Sequence, residues 1–270
     1  MNKESTVQAA AAPLLRRERD GRGVVVLTLN RPQSFNALSL ELIGALKNEL
    51  DALAADSAAR VLVLAGSGKA FCAGHDLREM RADPSLTYYQ RLFAECSRMM
   101  LAIRRLPIPV IARVHGIAAA AGCQLVAQCD LAVASSEARF AVSGVTLGLF
   151  CSTPAVPLSR NISRKQAFEM LATGEFIDAA EARARGLVNR VVPPAELDAE
   201  VERLVAAILA KPRVALALGK ELFYRQAELG IEAAYEAAGQ TMACNMMEET
   251  ALEGVQAFLE KRPPRWGGSA

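Results

Sequence analysis

The sequence contains two glycine-bearing segments, Lys69-Ala-Phe-Cys-Ala-Gly-His-Asp-Leu77 and Val114-His-Gly-Ile-Ala-Ala-Ala-Ala-Gly-Cys-Gln124. Each follows an apolar run typical of a buried strand and leads through small residues into a helix. Small side chains let a ligand approach the backbone, and the N–H groups of a helix that begins there point at that ligand. The pair therefore indicates a site for developing negative charge. In any single turn of this kind, the small residues equally serve tight packing of strand against helix.

The sequence around these segments alternates strands and helices. Apolar, β-branched runs predict strands at 23–30, 60–65, 110–114 and 131–134. Between the first two, Ser39 is a candidate N-cap for an amphipathic helix at roughly 40 to 54. From about Arg164 onward the pattern is helical, and strand signals nearly vanish after Val192. This order favours the α/β class, with a sheet-containing core followed by a helical region.

Composition narrows the function classes. With 270 residues, 52% of them hydrophobic and 22% charged, the chain can bury the core of one globular domain. The balance of 31 basic against 29 acidic residues provides no basic field for nucleic acid. No apolar run reaches the length of about 18 residues expected of a membrane span. We therefore expect neither a nucleic-acid partner nor a membrane-spanning segment.

The cysteines indicate neither disulfides nor a metal site. All six are scattered without C-x-x-C pairs, and only two histidines accompany them. A reducing, cytoplasmic compartment is the simplest interpretation. The alternative is a short organelle-targeting arm and a mitochondrial location.

The two segments, in this order and about 45 residues apart, resemble the enoyl-CoA hydratase/isomerase (crotonase) superfamily. The resemblance covers most of the chain. Further matching segments are Asn30-Arg-Pro32, Asn36-Ala-Leu38, Cys129-Asp-Leu-Ala132, Gly174-Glu-Phe-Ile177, Gly186-Leu-Val-Asn189 and Phe258-Leu-Glu-Lys261. The resemblance implies a crotonase fold, in which ββα units form a spiral core. It also implies an acyl-coenzyme A (acyl-CoA) thioester as ligand, with no cofactor beyond that CoA moiety. Fatty-acyl metabolism is the implied setting.

The resemblance and the helical pattern together divide the chain into three parts. We expect a flexible N-terminal arm at 1–13, a crotonase core with the acyl-CoA site at 14–195, and a C-terminal helical oligomerisation region at 196–270. Similar proteins form homotrimers or homohexamers through such helices. That assembly would explain the apolar faces at 201–209 and 214–222, although both faces could equally pack within one subunit.

By resemblance, the backbone N–H groups of His75 and Ala121 form an oxyanion hole for the thioester carbonyl. An enolate forms on that oxygen in nearly all of the family's chemistry, and one such donor is worth around 10²–10³ in rate. Ala121 stands where glycine is usual, so the backbone must reach its geometry with a Cβ present. The His75 imidazole is a second candidate for proton transfer, and a side chain that points away is the alternative.

Similar hydratases carry glutamates where this chain has Gln124 and Gly144. An amide is no general base near neutral pH, and each positioned acid or base is typically worth about 10²–10⁴-fold, so efficient hydration is doubtful. Gln124 could still hold a water or a substrate oxygen. Three functions stay open: an acyl-CoA lyase or isomerase, a non-catalytic acyl-CoA-binding or sensing protein, and an acyl-CoA thioesterase or decarboxylase.

Cys151 lies in a loop that borders the acyl pocket in related hydratases. If Thr153 caps a helix whose first residue is Pro154, the thiol beside that helix start would have a lowered pKa and become nucleophilic. The alternative is inert lining of the pocket.

The resemblance also assigns contacts to CoA. The adenine is expected near Gln33, Phe35, Ala37 and His75, with Arg78 toward the phosphates. Phe258 and Lys261 are expected to come from a neighbouring subunit.

Overall fold

The structure is a computed structural model that describes residues 12–266. All but two residues of the predicted arm at 1–13 lie outside the described residues. The strands are β1 (Leu15–Arg19), β2 (Val24–Leu29), β3 (Val61–Gly66), β4 (Ala70–Cys72), β5 (Val110–Val114), β6 (Ile117–Ala119), β7 (Leu131–Ser135), β8 (Arg139–Ala141), β9 (Ile177–Asp178) and β10 (Arg190–Val192). The helices are α1 (Leu40–Ala55), α2 (Leu77–Ala82), α3 (Leu86–Arg105), α4 (Ala121–Gln128), α5 (Ser152–Asn161), α6 (Arg164–Thr173), α7 (Ala179–Arg185), α8 (Leu197–Leu209), α9 (Arg213–Gln226), α10 (Ile231–Met246) and α11 (Glu249–Leu259).

Two sheets form the core. The larger has the order β1-β2-β3-β5-β7-β10 and is parallel except for the β1–β2 pair. The smaller has the order β4-β6-β8-β9 and is parallel except for the β8–β9 pair. Long apolar strands, buried on both faces, explain the parallel larger sheet.

The chain repeats one path through these sheets. It leaves the larger sheet at β3, β5 and β7, and each time adds a short strand, β4, β6 or β8, to the smaller sheet before a helix follows. Three ββα units result, so the expected α/β class and ββα core are confirmed. Both glycine-bearing segments run from the smaller sheet into a helix, and this places them side by side.

Helix positions follow the sequence pattern. Ser39 caps α1, since its side chain accepts a hydrogen bond from the Leu42 N–H at 3.2 Å. The apolar face of α1 is buried against the main core with α3. The last strand of residues 12–266 ends at Val192, as predicted. In the same range, no helix is both long and apolar enough to cross a membrane.

The C-terminal helices differ in how they contact the core. Helix α8 packs Val201, Leu204 and Val205 on the outer face of the larger sheet, so its apolar face is used within one subunit. Helix α9 docks through a polar cluster instead. Lys220 Nζ and Tyr224 Oη both donate to the Asp130 carboxylate at 2.7 Å, and the Lys220 side chain is only 8% exposed.

Large apolar side chains remain exposed on α9, α10 and α11. Examples are Phe223, Ile231, Tyr235, Met242 and Phe258. The expectation that the C-terminal helices carry an interface stays a prediction for these three helices.

Candidate active site

A buried asparagine organises the first wall of the site. Asn36 is fully buried, and its amide nitrogen donates to the carbonyl oxygens of Ser67, Ala70 and Phe71 at 2.8–3.2 Å. Its side-chain oxygen accepts the Arg31 N–H at 2.9 Å. These bonds fix the loop that precedes α1 against the turn between β3 and β4.

That loop in turn orients His75. Leu38 and His75 form an isolated parallel bridge, in which Leu38 N–H donates to Gly74 O at 2.8 Å and Asp76 N–H donates to Leu38 O at 3.1 Å. A parallel bridge of this kind uses the groups flanking His75 and leaves its own N–H on the opposite side. Within residues 12–266, no acceptor bonds the His75 N–H.

Asp76 fixes the start of the following helix. Its carboxylate accepts the N–H groups of Arg78 and Glu79 and also pairs with Arg31 at 2.8 Å. The Arg31 contact and these hydrogen bonds lower the carboxyl pKa against the opposing effect of burial, which is the largest single influence on it. Asp76 is therefore a structural anion, paired with groups of the fold itself.

The two glycine-bearing turns touch each other. A Cβ added to Gly74, whose φ is +102°, would lie 3.0 Å from Ala120 Cβ and 3.5 Å from the Ala121 nitrogen. On the other side, a Cβ at Gly122 would collide with the Cys72 carbonyl. Glycine is required at position 122 because backbone meets backbone there, and at position 74 because φ is positive and the Ala120 turn approaches closely.

The second N–H belongs to the first residue of α4. Ala121 begins that helix, so its N–H has no partner inside the helix, and the described residues supply none from outside. The unusual backbone lies one residue earlier than the sequence predicted. Ala120 has φ 48° and ψ −116°, whereas Ala121 is not among the residues with positive φ.

Both turns border one cavity of about 340 Å³. Its large lining side chains are apolar: Leu77, Met80, Phe93, Leu147, Leu149 and Phe150. Its remaining lining is small or weakly polar: Ala73, Ala120, Ala121, Ser143, Gly144, Ser152, Thr153 and Pro154, together with His75 and Cys151. Among residues 12–266, no Asp, Glu, Lys or Arg side chain lines this cavity.

The His75 imidazole is neutral at pH 7. Burial lowers its pKa to about 4, and its ring lies edge-on to Phe93 with centroids 5.5 Å apart. Among residues 12–266, neither ring nitrogen has a hydrogen-bond partner of good geometry and neither is open to solvent, and the Leu38 backbone opposes the lowering of the pKa only in part. Because no protein group within residues 12–266 hydrogen-bonds this ring, its proton-transfer role has no support from a protein partner and stays a prediction.

Gln124 and Gly144 occupy different environments. Gln124 is 4% exposed, does not line the cavity, and has a buried side-chain oxygen without a partner in the described part of the chain. Gly144 does line the cavity, and its N–H donates to Cys151 Sγ at 3.2 Å. A Cβ at position 144 would approach that sulfur to 2.7 Å, so the present loop excludes any side chain there.

The predicted cap beside Cys151 is wrong. Helix α5 begins at Ser152, one residue before Thr153, and Cys151 itself is the N-cap residue, without a side-chain cap. Burial raises the pKa of the Cys151 thiol, against a smaller lowering by the Gly144 N–H. The lowered pKa expected of a nucleophile is absent, because burial outweighs the helix start.

Comparison with known proteins supplies the family. The sequence profile described as "Enoyl-CoA hydratase/isomerase" matches residues 19–269. The chain belongs to the enoyl-CoA hydratase/isomerase family. The expectation drawn from its motifs is thereby confirmed.

Individual members of this family are similar over nearly their whole length. An enoyl-CoA hydratase from Mycobacterium smegmatis, known from a crystal structure, shares 66% sequence identity with this chain. The two structures superpose with a TM-score of 0.94, and the match covers 95% of this chain and all of that one. The crystal structure of human enoyl-CoA hydratase domain-containing protein 3 is 42% identical, with a TM-score of 0.90, over 94% of this chain and all of that one. The curated human protein of that name, described as mitochondrial, is 44% identical over 90% of this chain and 80% of its own length. The crotonase fold is therefore shown.

Of the residues expected to contact CoA, some lie near His75 and others lie away from the cavity. Gln33, Phe35 and Ala37 lie in the loop beside His75, and Phe35 O accepts the Ala73 N–H at 3.0 Å. Arg78 is exposed on α2, two residues after Asp76. Phe258, 82% exposed, and Lys261 do not line the cavity, and their supply by a neighbouring subunit stays a prediction.

Several cavity residues were missed from the sequence. Met80 and Phe93 lie on helices whose apolar spacing resembles ordinary core packing. Leu77, Leu147 and Leu149 lie at helix ends or in a loop, where periodicity carries no signal. For metals, residues 12–266 contain no group of three or more His, Cys, Asp or Glu side chains arranged to hold an ion.

Proposed function

We propose that this chain binds an acyl-CoA thioester and polarises its carbonyl oxygen between the N–H groups of His75 and Ala121. The observation that carries the proposal is the contact between the Gly74 and Ala120 turns, beside which His75 and Ala121, whose N–H groups have no partner among residues 12–266, both line one apolar cavity. Such donors are strongest where water is excluded, and they require no reorganisation when charge develops on the oxygen.

The proposed site offers hydrogen-bond donors that polarise the carbonyl, but no side chain that transfers a proton. No carboxylate lines it within residues 12–266, the His75 ring is neutral, and the Cys151 thiol is protonated at pH 7. Direct addition of water to an enoyl-CoA is therefore expected to be slow, because each positioned acid or base contributes about 10²–10⁴-fold. Lyase or isomerase turnover in fatty-acyl metabolism is the first candidate, and thioester hydrolysis or decarboxylation are its variants.

A second candidate is acyl-CoA binding or sensing without turnover. The same uncharged lining favours it, since a site that binds but does not react needs no acid or base. The two candidates share the carbonyl site and differ only in whether product appears.

The remaining parts of the proposal concern CoA and assembly. We assign the nucleotide end of CoA to the Gln33–Ala37 loop and Arg78, with Phe258 and Lys261 from a neighbouring subunit of a homotrimer or homohexamer. The exposed apolar side chains of α9–α11 support such an assembly. The proposed compartment is the cytoplasm for a bacterial source and the mitochondrion, named for the human relative, for a eukaryotic one.

The carbonyl contact can be tested by comparing hexanoyl-CoA with S-hexyl-CoA, a thioether that lacks the carbonyl oxygen. Titration calorimetry should show that the thioester binds about tenfold or more tightly than the thioether. A hydrogen bond to a partly charged oxygen contributes a binding free energy of that size. Equal affinities would show that the carbonyl is not recognised.

The variant Ala121→Pro removes one of the two donors. Proline is tolerated at the first position of a helix, where its N–H has no intrahelical partner. It should lower hexanoyl-CoA affinity by more than it lowers that of the thioether, because the ring Cδ crowds both ligands but only the thioester loses a hydrogen bond. Arg164→Pro, an exposed first position of α6, is the matched control and should change neither value.

Turnover separates the two candidates. The protein is incubated with crotonyl-CoA, hexanoyl-CoA and malonyl-CoA, and loss of each is followed by chromatography. Binding without loss supports the sensing candidate, and loss of one ester identifies the reaction class.

A further inference from the structure

We infer that a second cavity, far from the candidate active site, binds a nucleotide through its phosphate groups and its base. This cavity lies between the starts of β2 and β3 and the connection from α8 to α9. Its volume of about 410 Å³ is in the range of small-ligand pockets. The inference goes beyond the proposed function and does not depend on it.

The two cavities lie at opposite ends of the larger sheet. Gly23 and Arg60, which immediately precede β2 and β3, line the second cavity. The first cavity is lined by His75, which pairs with Leu38 in the loop after the carboxyl end of β2. A strand of this length, six residues, spans roughly 20 Å. Among residues 12–266, none lines both cavities, so a ligand in the second one occupies a separate site.

The lining of the second cavity is strongly basic. It includes the side chains of Arg19, Arg22, Arg60, Lys211 and Arg213, and among residues 12–266 no Asp or Glu lines it. Arg19 and Arg22 are paired with carboxylates outside the lining. The other three cations have no carboxylate partner in the same part of the chain. Because the whole chain carries a formal net charge of only +2, this concentration of positive charge is local.

Backbone carbonyl groups hold two of these three cations in place. Arg60 Nη2 donates to the carbonyl oxygens of Leu209 and Lys211 at 3.3 and 2.8 Å, and Arg213 Nε donates to Ala59 O at 3.1 Å. A guanidinium has five N–H donors, so each still has donors for a ligand. Phosphate oxygens accept such charge-assisted hydrogen bonds in pairs. Three cations without a carboxylate partner match a ligand with several negative charges, such as a di- or triphosphate.

An aromatic residue indicates that the phosphates belong to a nucleotide. Trp266, the only tryptophan of the chain, also lines the cavity. Its Nε1 donates to Ala210 O at 3.2 Å, and its ring packs beside Gly254, where an added Cβ would lie 3.3 Å from a ring carbon. A ring held in this way offers a surface on which any nucleobase can stack. The base is therefore assigned to Trp266, and the phosphates to Arg60, Lys211 and Arg213.

The inference is tested with ATP and methyl triphosphate in the absence of divalent cations. The two ligands carry the same triphosphate charge, and only ATP has a base. Titration calorimetry should show that ATP binds at least about fivefold more tightly than methyl triphosphate, because base stacking adds to the phosphate contacts. ATP should also change the fluorescence of the single tryptophan. Absence of ATP binding, or equal affinity for the two ligands, overturns the inference.

A charge variant locates the phosphates. Lys211→Gln should weaken ATP binding by about fivefold or more, because the exposed side chain loses a charge-assisted contact. Lys165→Gln, at an exposed lysine of α6 outside the cavity, is the matched control and should not change the affinity. Unchanged ATP affinity in the folded Lys211→Gln variant overturns the inference.

An aromatic variant locates the base. Trp266→Leu should lower ATP affinity to that of methyl triphosphate and leave methyl triphosphate binding unchanged, as measured by calorimetry. ATP binding as tight as that of the wild type would show that the base does not contact Trp266, which overturns the assignment of a nucleotide.

CoA itself contains an adenine nucleotide, so binding of ATP at the proposed CoA site must be distinguished. Arg78→Gln, in the proposed CoA contact, should leave ATP affinity unchanged. A loss in Arg78→Gln as large as that in Lys211→Gln would place ATP at the CoA site and overturn the inference. If ATP binds the wild type as expected but hexanoyl-CoA does not bind, the proposed function fails and the second site stands.

Discussion

Leu38 and His75 are paired in a way that uses both backbone groups of Leu38 and neither of His75. The orientation of the His75 N–H, on the side opposite Leu38, is thus set by a neighbouring loop, and that loop is held by the buried Asn36 amide. The geometry at His75 therefore depends on a residue that does not line the cavity.

Asn36→Ala should destabilise the protein by about 2–4 kcal/mol, because it leaves several buried carbonyl groups without a donor and puts alanine at a φ of 55°. Urea unfolding measures this cost. Asn48→Ala, at an exposed position of α1, is the control and should be nearly neutral. Equal effects of the two substitutions would refute the supporting role of Asn36.

Ala120→Gly should stabilise the protein by about 1 kcal/mol. A non-glycine residue at φ 48° and ψ −116° is strained, and glycine relieves that strain at the start of α4. Thermal and urea unfolding both report the change. In contrast, Ala127→Gly, inside the same helix, should cost about 1 kcal/mol. A loss of stability in Ala120→Gly would mean that the backbone there is unstrained.

His75 should make stability fall in acid. Its pKa is lowered from 6.5 to about 4 in the folded state, so the unfolded chain binds a proton first as pH falls through this window. Between pH 7 and pH 4.5, the wild type should lose about 2–3 kcal/mol more stability than His75→Gln. Parallel urea titrations at the two pH values measure the difference.

The other histidine provides the comparison. Burial also lowers the pKa of His115, but its ring bonds Gly68 O at 2.9 Å and is less buried than that of His75. His115→Gln should therefore remove a smaller part of the acid sensitivity. A larger effect from His115 than from His75 would contradict the burial of the His75 ring.

Gln124→Glu should cost about 2–4 kcal/mol at pH 8 and much less at pH 4.5. The new carboxyl group would be buried beside no donor, so its folded-state pKa is raised, and stability is lost as pH rises above the ordinary glutamate value. Gln90→Glu, exposed on α3, should show no such pH dependence.

The same substitution tests the chemistry. If the new carboxylate reaches the carbonyl site, Gln124→Glu should increase any hydration of crotonyl-CoA, followed by loss of absorbance of the enoyl thioester. No increase in a folded variant would place position 124 outside the reaction path, consistent with its absence from the cavity lining.

The long elements of the fold could be predicted from sequence. The spacing of leucines and the Ser39 cap located α1 to within a residue, and β-branched runs located β2, β3, β5 and β7. The strands of the smaller sheet were not predicted. They contain only two or three residues each, too few for a period-two pattern.

The sequence predicted only the part of the site that is formed by backbone turns, because such turns need small residues. Glycine at positions 74 and 122 marked the two turns, but sequence could not show that the strain falls on Ala120 rather than Ala121. The lowered thiol pKa considered for Cys151 was wrong because burial depends on distant packing, whereas the alternative, that Cys151 lines the cavity, agrees with the structure. The apolar lining from α2, α3 and the Leu147–Phe150 loop comes together only in the folded chain.

The direct contact between the Gly74 and Ala120 turns has a consequence for protein engineering. The carbonyl-binding position that we propose is built from main-chain atoms, so on that proposal reactive side chains can be exchanged around it without relocating the ester. A library that varies Cys151, Ser143 and Thr153 while keeping both turns would sample new reactions on an unchanged thioester anchor.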